Sequence, residues 1–185
     1  MDVLPGVAPA SLVLARTDNT VVGLTDVRGY PNGFAFVLRV RWGLVADPVR
    51  AAAVPFPDWG SPDPLEDEPL PDALLRFGLQ FADGRKVTNL DQYPFVAEGL
   101  PPDQPVLVEG GGVGSEGGRL GRGALWDLEL VVQPLPPPGP LAFICAWPGR
   151  GVPTSRMEVD GGAIRAATDT AVTLWPDDPY CGDDC

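Results

Sequence analysis

The feature that most constrains this chain is a run of strict two-residue alternation directly behind a tight turn. From Phe34 to Trp42, the residues Phe34, Phe36, Leu38, Val40 and Trp42 alternate with Ala35, Val37, Arg39 and Arg41. Neighbouring side chains of an extended strand point to opposite faces. The pattern therefore puts an unbroken aromatic and aliphatic row on one side and two guanidinium groups on the other. Tyr30-Pro31-Asn32-Gly33 precedes this run, and Thr20–Tyr30, with Val21, Val22, Leu24 and Val27, precedes the turn. Proline presets its own φ and Asn-Gly accepts positive φ, so residues 20–42 read as a β-hairpin. A hairpin with one apolar face needs a second layer to cover it.

The same signature recurs along the chain. In Leu74–Phe81, the side chains of Leu75, Phe77, Leu79 and Phe81 face one way and Arg76 and Gln80 the other. Asp83-Gly84 then reads as a two-residue turn into a strand over 85–89. In Leu125–Val132, Trp126, Leu128, Leu130 and Val132 face inward while Asp127 and Glu129 face outward. Leu141–Trp147 is apolar on both faces, as a central strand is, and shorter strands are expected over 11–15, 106–108 and 154–159. One helix is expected. Asp160 can cap it, Ile164, Ala167, Ala171, Leu174 and Trp175 recur at helical spacing, and Pro176 ends it, because a residue before proline avoids the α region. Strands and helices do not alternate as in a parallel nucleotide-binding sheet. The expected fold is mainly β: an antiparallel β-sandwich, immunoglobulin-like or similar, with one C-terminal α-helix, or alternatively a β-barrel. The length of 185 residues suits one domain over 1–176, with long loops at 46–72 and 109–123 and an acidic tail at 177–185.

Charge and composition bound the partners. The net charge of -12 repels phosphate backbones and anionic lipid surfaces, so neither nucleic acid nor membrane is an expected partner. No apolar stretch approaches the roughly 18 residues of a membrane helix. Met1-Asp2-Val3-Leu4-Pro5 lacks a positive segment ahead of an apolar one, so a cytoplasmic location is expected. Three cysteines do not make a secreted disulfide framework. Cys145, between Ile144 and Ala146, reads as a small core residue.

The chain contains no histidine. That removes Ser-His and Cys-His nucleophile activation, imidazole acid-base chemistry and the commonest metal ligand. Gly112-Val113-Gly114-Ser115-Glu116-Gly117 matches G-x-G-x-x-G in letters, but Gly118, Gly121 and Gly123 forbid the helix that a dinucleotide fingerprint needs. Cys181-Gly-Asp-Asp-Cys185 offers two thiols where structural zinc wants four ligands. Inert thiols, a tail disulfide or a thiol linking two chains are the other readings. No cofactor is expected.

Residues 46–72 lose all periodicity, interrupted by Pro48, Pro55, Pro57, Pro62, Pro64, Pro69 and Pro71. Phe56 and Trp59 are apolar anchors inside this loop; Asp58 beside Trp59 would suit a sugar ring, and the acids at 58–72 a calcium ion, although their spacing is not that of an EF-hand. Arg39, Arg41, Arg76 and Arg156 occupy outward strand positions, as do Asp127, Glu129 and Glu158. They read either as cross-strand ion pairs on a solvated sheet face or as an arginine-rich recognition surface. The candidate interaction surface is thus Phe56, Trp59, Arg39, Arg41 and Arg76.

Two segments carry a resemblance: Leu75–Val87 (LRFGLQFADGRKV) and Pro134–Leu141 (PLPPPGPL), the latter running into Cys145-Ala146-Trp147-Pro148. With the glycine-rich stretch between them and the ending Leu174-Trp175-Pro176, the chain beyond about Thr20 resembles a family of uncharacterised proteins from high-GC actinobacteria. The resemblance implies a family and a bacterial source. It brings no activity and no catalytic residue.

These observations converge on an expectation. The chain is a non-enzymatic module that binds another protein through loops and an arginine face on a rigid β scaffold. A small-ligand, carbohydrate or calcium-binding module is the alternative, and a hydrolase working through two carboxylates is a third reading.

Overall fold

The computed structural model describes residues 3–43, 70–90, 104–115 and 124–175, with only the backbone described at 112–115 and 124. Among these residues the chain is mainly β. Its strands are β1 (Val3–Leu4), β2 (Gly6–Val7), β3 (Leu12–Arg16), β4 (Thr20–Tyr30), β5 (Gly33–Trp42), β6 (Arg76–Gln80), β7 (Lys86–Thr88), β8 (Val106–Ser115), β9 (Ala124–Gln133), β10 (Pro140–Trp147) and β11 (Val152–Asp160). One short helix, α1 (Gly161–Thr168), and a last strand, β12 (Val172–Thr173), follow. Every strand pairing is antiparallel.

The larger sheet runs β2-β4-β5-β9-β8, with β3 also on β4; the smaller runs β11-β10-β6-β7. Both orders are open, and among the described residues neither sheet closes on itself, so the barrel alternative is not adopted. Alternation explains how the sheets meet. The inward row of β5 (Phe34, Phe36, Leu38 and Val40) is buried against Phe77 and Leu79 of β6 and Leu141, Phe143 and Cys145 of β10. Phe36 joins the layers, 5.3 Å edge-on to Phe143 and 5.9 Å from Phe77. β10 is central in its sheet, which is why Leu141–Trp147 reads as apolar on both faces.

At one end of the core Trp42 and Trp147 meet edge to face at 5.7 Å. The chain leaves β10 through a 3-10 turn, Pro148–Arg150, and Arg150 folds back with its guanidinium 5.3 Å from the Trp42 ring and 5.5 Å from the Trp147 ring. Such a contact stabilises a nearly buried cation through the ring quadrupole. The Trp147 indole N–H donates to the Ala73 carbonyl at 2.7 Å, tying the entry to β6 to the same corner.

Several local expectations need correction. The β4–β5 turn does not use positive φ at Asn32; Gly33 is required instead because a side chain there would run into the Val132 carbonyl of the neighbouring strand. The turn after β6 has three residues, Ala82-Asp83-Gly84, not two. The Phe81 N–H bonds the Arg85 carbonyl at 2.8 Å, and Gly84 takes a φ of 91°, the usual way to accommodate a bulge in a three-residue hairpin. The strand expected at 106–108 continues to Ser115, so the first part of the expected loop 109–123 is paired with β9.

The helix is shorter than expected. Asp160 caps it as anticipated, accepting from the Gly162 N–H at 2.8 Å, and Ile164 and Ala167 are buried. It stops at Thr168, where the Thr168 and Thr170 hydroxyls donate to the Arg165 and Ala167 carbonyls. Such hydroxyls compete with the helical ladder, and β-branched residues then favour extension. Val172 and Thr173 accordingly pair with Leu4 and Val3. Leu174 and Trp175 are exposed and continue no helix.

Candidate functional site

The outward face of the larger sheet gathers most of the described charge chemistry. Register sets it. Gly23 of β4 lies opposite Val13 of β3 and Arg39 of β5, and Arg39 lies opposite Asp127 of β9. The Arg41 Nη1 donates to Asp127 Oδ1 at 2.6 Å, while Arg39 Nε lies 3.9 Å from Asp127 Oδ2. Arg28 pairs with Glu129 at 2.9 Å. Arg39 also reaches Asp26 at 3.0 Å.

Asp26 sits in a bulge where the β4–β5 register shifts between Thr25 and Arg28, and its φ of 56° is the left-handed conformation that Asp tolerates better than most residues. The Thr25 hydroxyl donates to its Oδ2 at 2.7 Å. That bond, with the Arg39 charge beside it, holds the Asp26 carboxyl below the ordinary value of 3.8. The bulge thus aims a carboxylate at Arg39 that a regular strand would carry elsewhere.

Beside the arginines lies a shallow groove of about 280 Å³, lined by Ser11, Leu12, Val13, Val21, Gly23, Thr25, Arg39 and Arg41. Gly23 is part of its lining, and a Cβ there would come 3.2 Å from the Leu12 carbonyl oxygen. Val13 is 50% exposed on the β3 side. The groove therefore offers aliphatic walls and a guanidinium border. Three arginines are ion-paired with three carboxylates on this face, and exposed Arg16 of β3, opposite Val21, adds a further guanidinium to it.

Arg76 lies elsewhere. It projects from β6 in the smaller sheet, bonds the Leu70 carbonyl at 3.0 Å and stands 3.6 Å from Asp72. Arg156, on β11 of the same sheet, pairs with Glu158 at 2.9 Å and donates to the Gln80 amide oxygen at 2.8 Å. The arginines read as one surface are thus split between two sheets that turn their backs to each other. Phe56, Trp59, Asp58, Cys181, Cys185 and the segment 116–123 lie outside the described residues, as does all of the 46–72 loop before Leu70.

The G-x-G-x-x-G letters begin inside β8, whose residues up to Ser115 pair antiparallel with β9, while Glu116 and Gly117 lie outside the described residues. Cys145 is a core side chain whose thiol burial pushes up to about 11. Among the described residues no three Cys, Asp or Glu side chains converge as a metal site would require, and no helix is long and apolar enough to cross a membrane. Sequence reasoning missed the Asp26 bulge and the groove, since neither a register shift nor the empty space above a glycine leaves a periodic signal. No family model, curated protein or solved structure matches the chain.

Proposed function

We propose that this chain is a single-domain antiparallel β-sandwich that works without catalysis, binding another protein through the outer face of its larger sheet. The observation that carries this reading is the groove above Gly23, with Val13 exposed on one side and Arg39 and Arg41 on the other. An aliphatic hollow bordered by arginine has the composition of an interface core, where arginine is favoured and apolar anchors fill pockets. The charge-balanced network beside it supports selection over raw attraction: a partner must present charges in matching order, or leave groups unpaired. The chain's net charge of -12 argues against nucleic acid and anionic lipid as that partner. The bacterial family resemblance and the cytoplasmic location belong to the same proposal.

The test is affinity capture from source lysate, with wild type, Val13→Glu and Arg39→Glu compared by quantitative mass spectrometry and each variant's melting point checked. A partner retained by wild type and lost by both folded variants supports the reading. The same partner retained at equal yield by both variants would remove this face from consideration.

A further inference from the structure

The smaller sheet ends at β11, which among the described residues pairs with β10 alone. The Gly161 N–H donates to the Gly139 carbonyl at 2.8 Å, and this bond sets the phase of the ladder. In an antiparallel pair hydrogen-bonded and non-hydrogen-bonded positions alternate. With Leu141 opposite Val159, Phe143 opposite Met157 and Cys145 opposite Ser155, the backbone groups of Ser155, Met157 and Val159 turn inward to β10. Those of Thr154, Arg156 and Glu158 turn outward from the sheet edge. No hydrogen bond among the described residues reaches these outward backbone groups. An edge of this kind is a template for another strand.

The side chains along this edge are complementary to their own reversal. Arg156 and Glu158, of opposite sign, flank Met157, and Ser155 and Val159 flank them in turn. Met157 lies in register with buried Phe143, on the core side of the sheet, and is 40% exposed; β3 of the larger sheet comes close to β11 without pairing with it.

We propose that a second copy of this chain pairs antiparallel along β11, about a two-fold axis through Met157. In this register Arg156 stands opposite Glu158 of the partner subunit, and Glu158 opposite the partner's Arg156. Both belong to the outward-turned set, so each pair exchanges two backbone hydrogen bonds as well as a charge contact. Met157 meets the partner's Met157 and covers the exposed end of the core, and the two small sheets become one continuous sheet. A shift by one residue would set inward-turned positions opposite outward-turned ones. A shift by two would place either Arg156 opposite the partner's Arg156 or Glu158 opposite the partner's Glu158, the latter with Arg156 opposite the partner's Asp160. Both chains carry -12, so association is opposed at low ionic strength. At about 0.15 M salt that repulsion is confined to about 8 Å. The edge belongs to the other sheet from the groove of the proposed function and shares no residue with it.

The test uses the full chain at about 0.15 M salt. Sedimentation over a hundredfold range of concentration should show a monomer–dimer equilibrium. Glu158→Arg should weaken association about tenfold or more, since two attractive cross-strand pairs become repulsive. The double exchange Arg156→Glu with Glu158→Arg should restore it. In a chain carrying Cys181→Ser and Cys185→Ser, Met157→Cys should form a disulfide-linked dimer on mild oxidation, because a non-hydrogen-bonded pair places its Cα atoms about 4.5 Å apart, within disulfide reach. Ser155→Cys in the same background should not. A wild-type monomer at every concentration would overturn the proposal. So would a Glu158→Arg variant that associates like wild type, a double exchange without rescue, or equal cross-linking at both positions. The cysteine pair decides the matter if Glu158→Arg fails to fold.

Discussion

The meeting of Phe36 and Phe143 is where the two sheets become one core, and it can be measured. Phe36 is fully buried on β5, Phe143 fully buried on β10, and their rings meet edge to face at 5.3 Å with an interplanar angle of 82°. Phe→Leu at either position keeps an apolar side chain and removes the ring. Each single change should cost about 1–2 kcal/mol, from lost burial and a small residual void. The aromatic pair itself contributes about 0.5–1.5 kcal/mol beyond area. The double variant should therefore lose less than the sum of the singles by about that amount, since the pair can be lost only once. For a chain of this size about 1 kcal/mol moves the midpoint by about 2–4 °C. Urea denaturation of wild type, both singles and the double, followed by tryptophan fluorescence, measures all four corners. Strict additivity, within about 0.3 kcal/mol, would mean that these rings do not touch and that the sheets are held together elsewhere.

Two further outcomes follow from titrating groups. The Cys145 thiol should resist thiol-specific reagents in the native state and react only on unfolding, as read in a chain lacking Cys181 and Cys185. Its folded value is raised, so its contribution to stability is complete below the ordinary value of 9.0 and is lost as pH rises through about 11; reaction of native protein at pH 8 would contradict the burial. Asp26 should titrate below 3.8 by carbon-detected NMR, and Thr25→Val should move its midpoint upward by removing the hydroxyl donor. Because the folded value is lowered, any stabilisation by Asp26 is present above 3.8 and is lost as pH falls through the folded value. An unchanged midpoint in Thr25→Val would mean that the hydroxyl does not make this bond.

Period-two alternation was legible because a strand converts sequence parity directly into facing. It placed Phe36, Leu38, Phe77 and Leu128 inside, and Arg39, Arg41 and Asp127 outside, without knowledge of which strands adjoin. The Asp160 cap was legible for a related reason, since capping joins residues two or three apart. Contacts between distant segments were not. That β5 lies beside β9, which puts Arg41 against Asp127, is a matter of strand order, and strand order depends on how the two sheets fit together. Val172–Thr173 left the expected helix because a partner, Val3–Leu4, reaches it from the other end of the chain. Gly23 looks in sequence like a defect in a strand. Only with Leu12 on one side and Arg39 on the other does the missing side chain become a groove. The sequence by itself determined which side chains of the alternating strands are buried, through parity, whereas Leu174 and Trp175, expected on an apolar helix face, are exposed. The tertiary structure decided which outward groups share a surface, because that depends on registers between strands distant in sequence, as where Arg28 meets Glu129 and Arg41 meets Asp127.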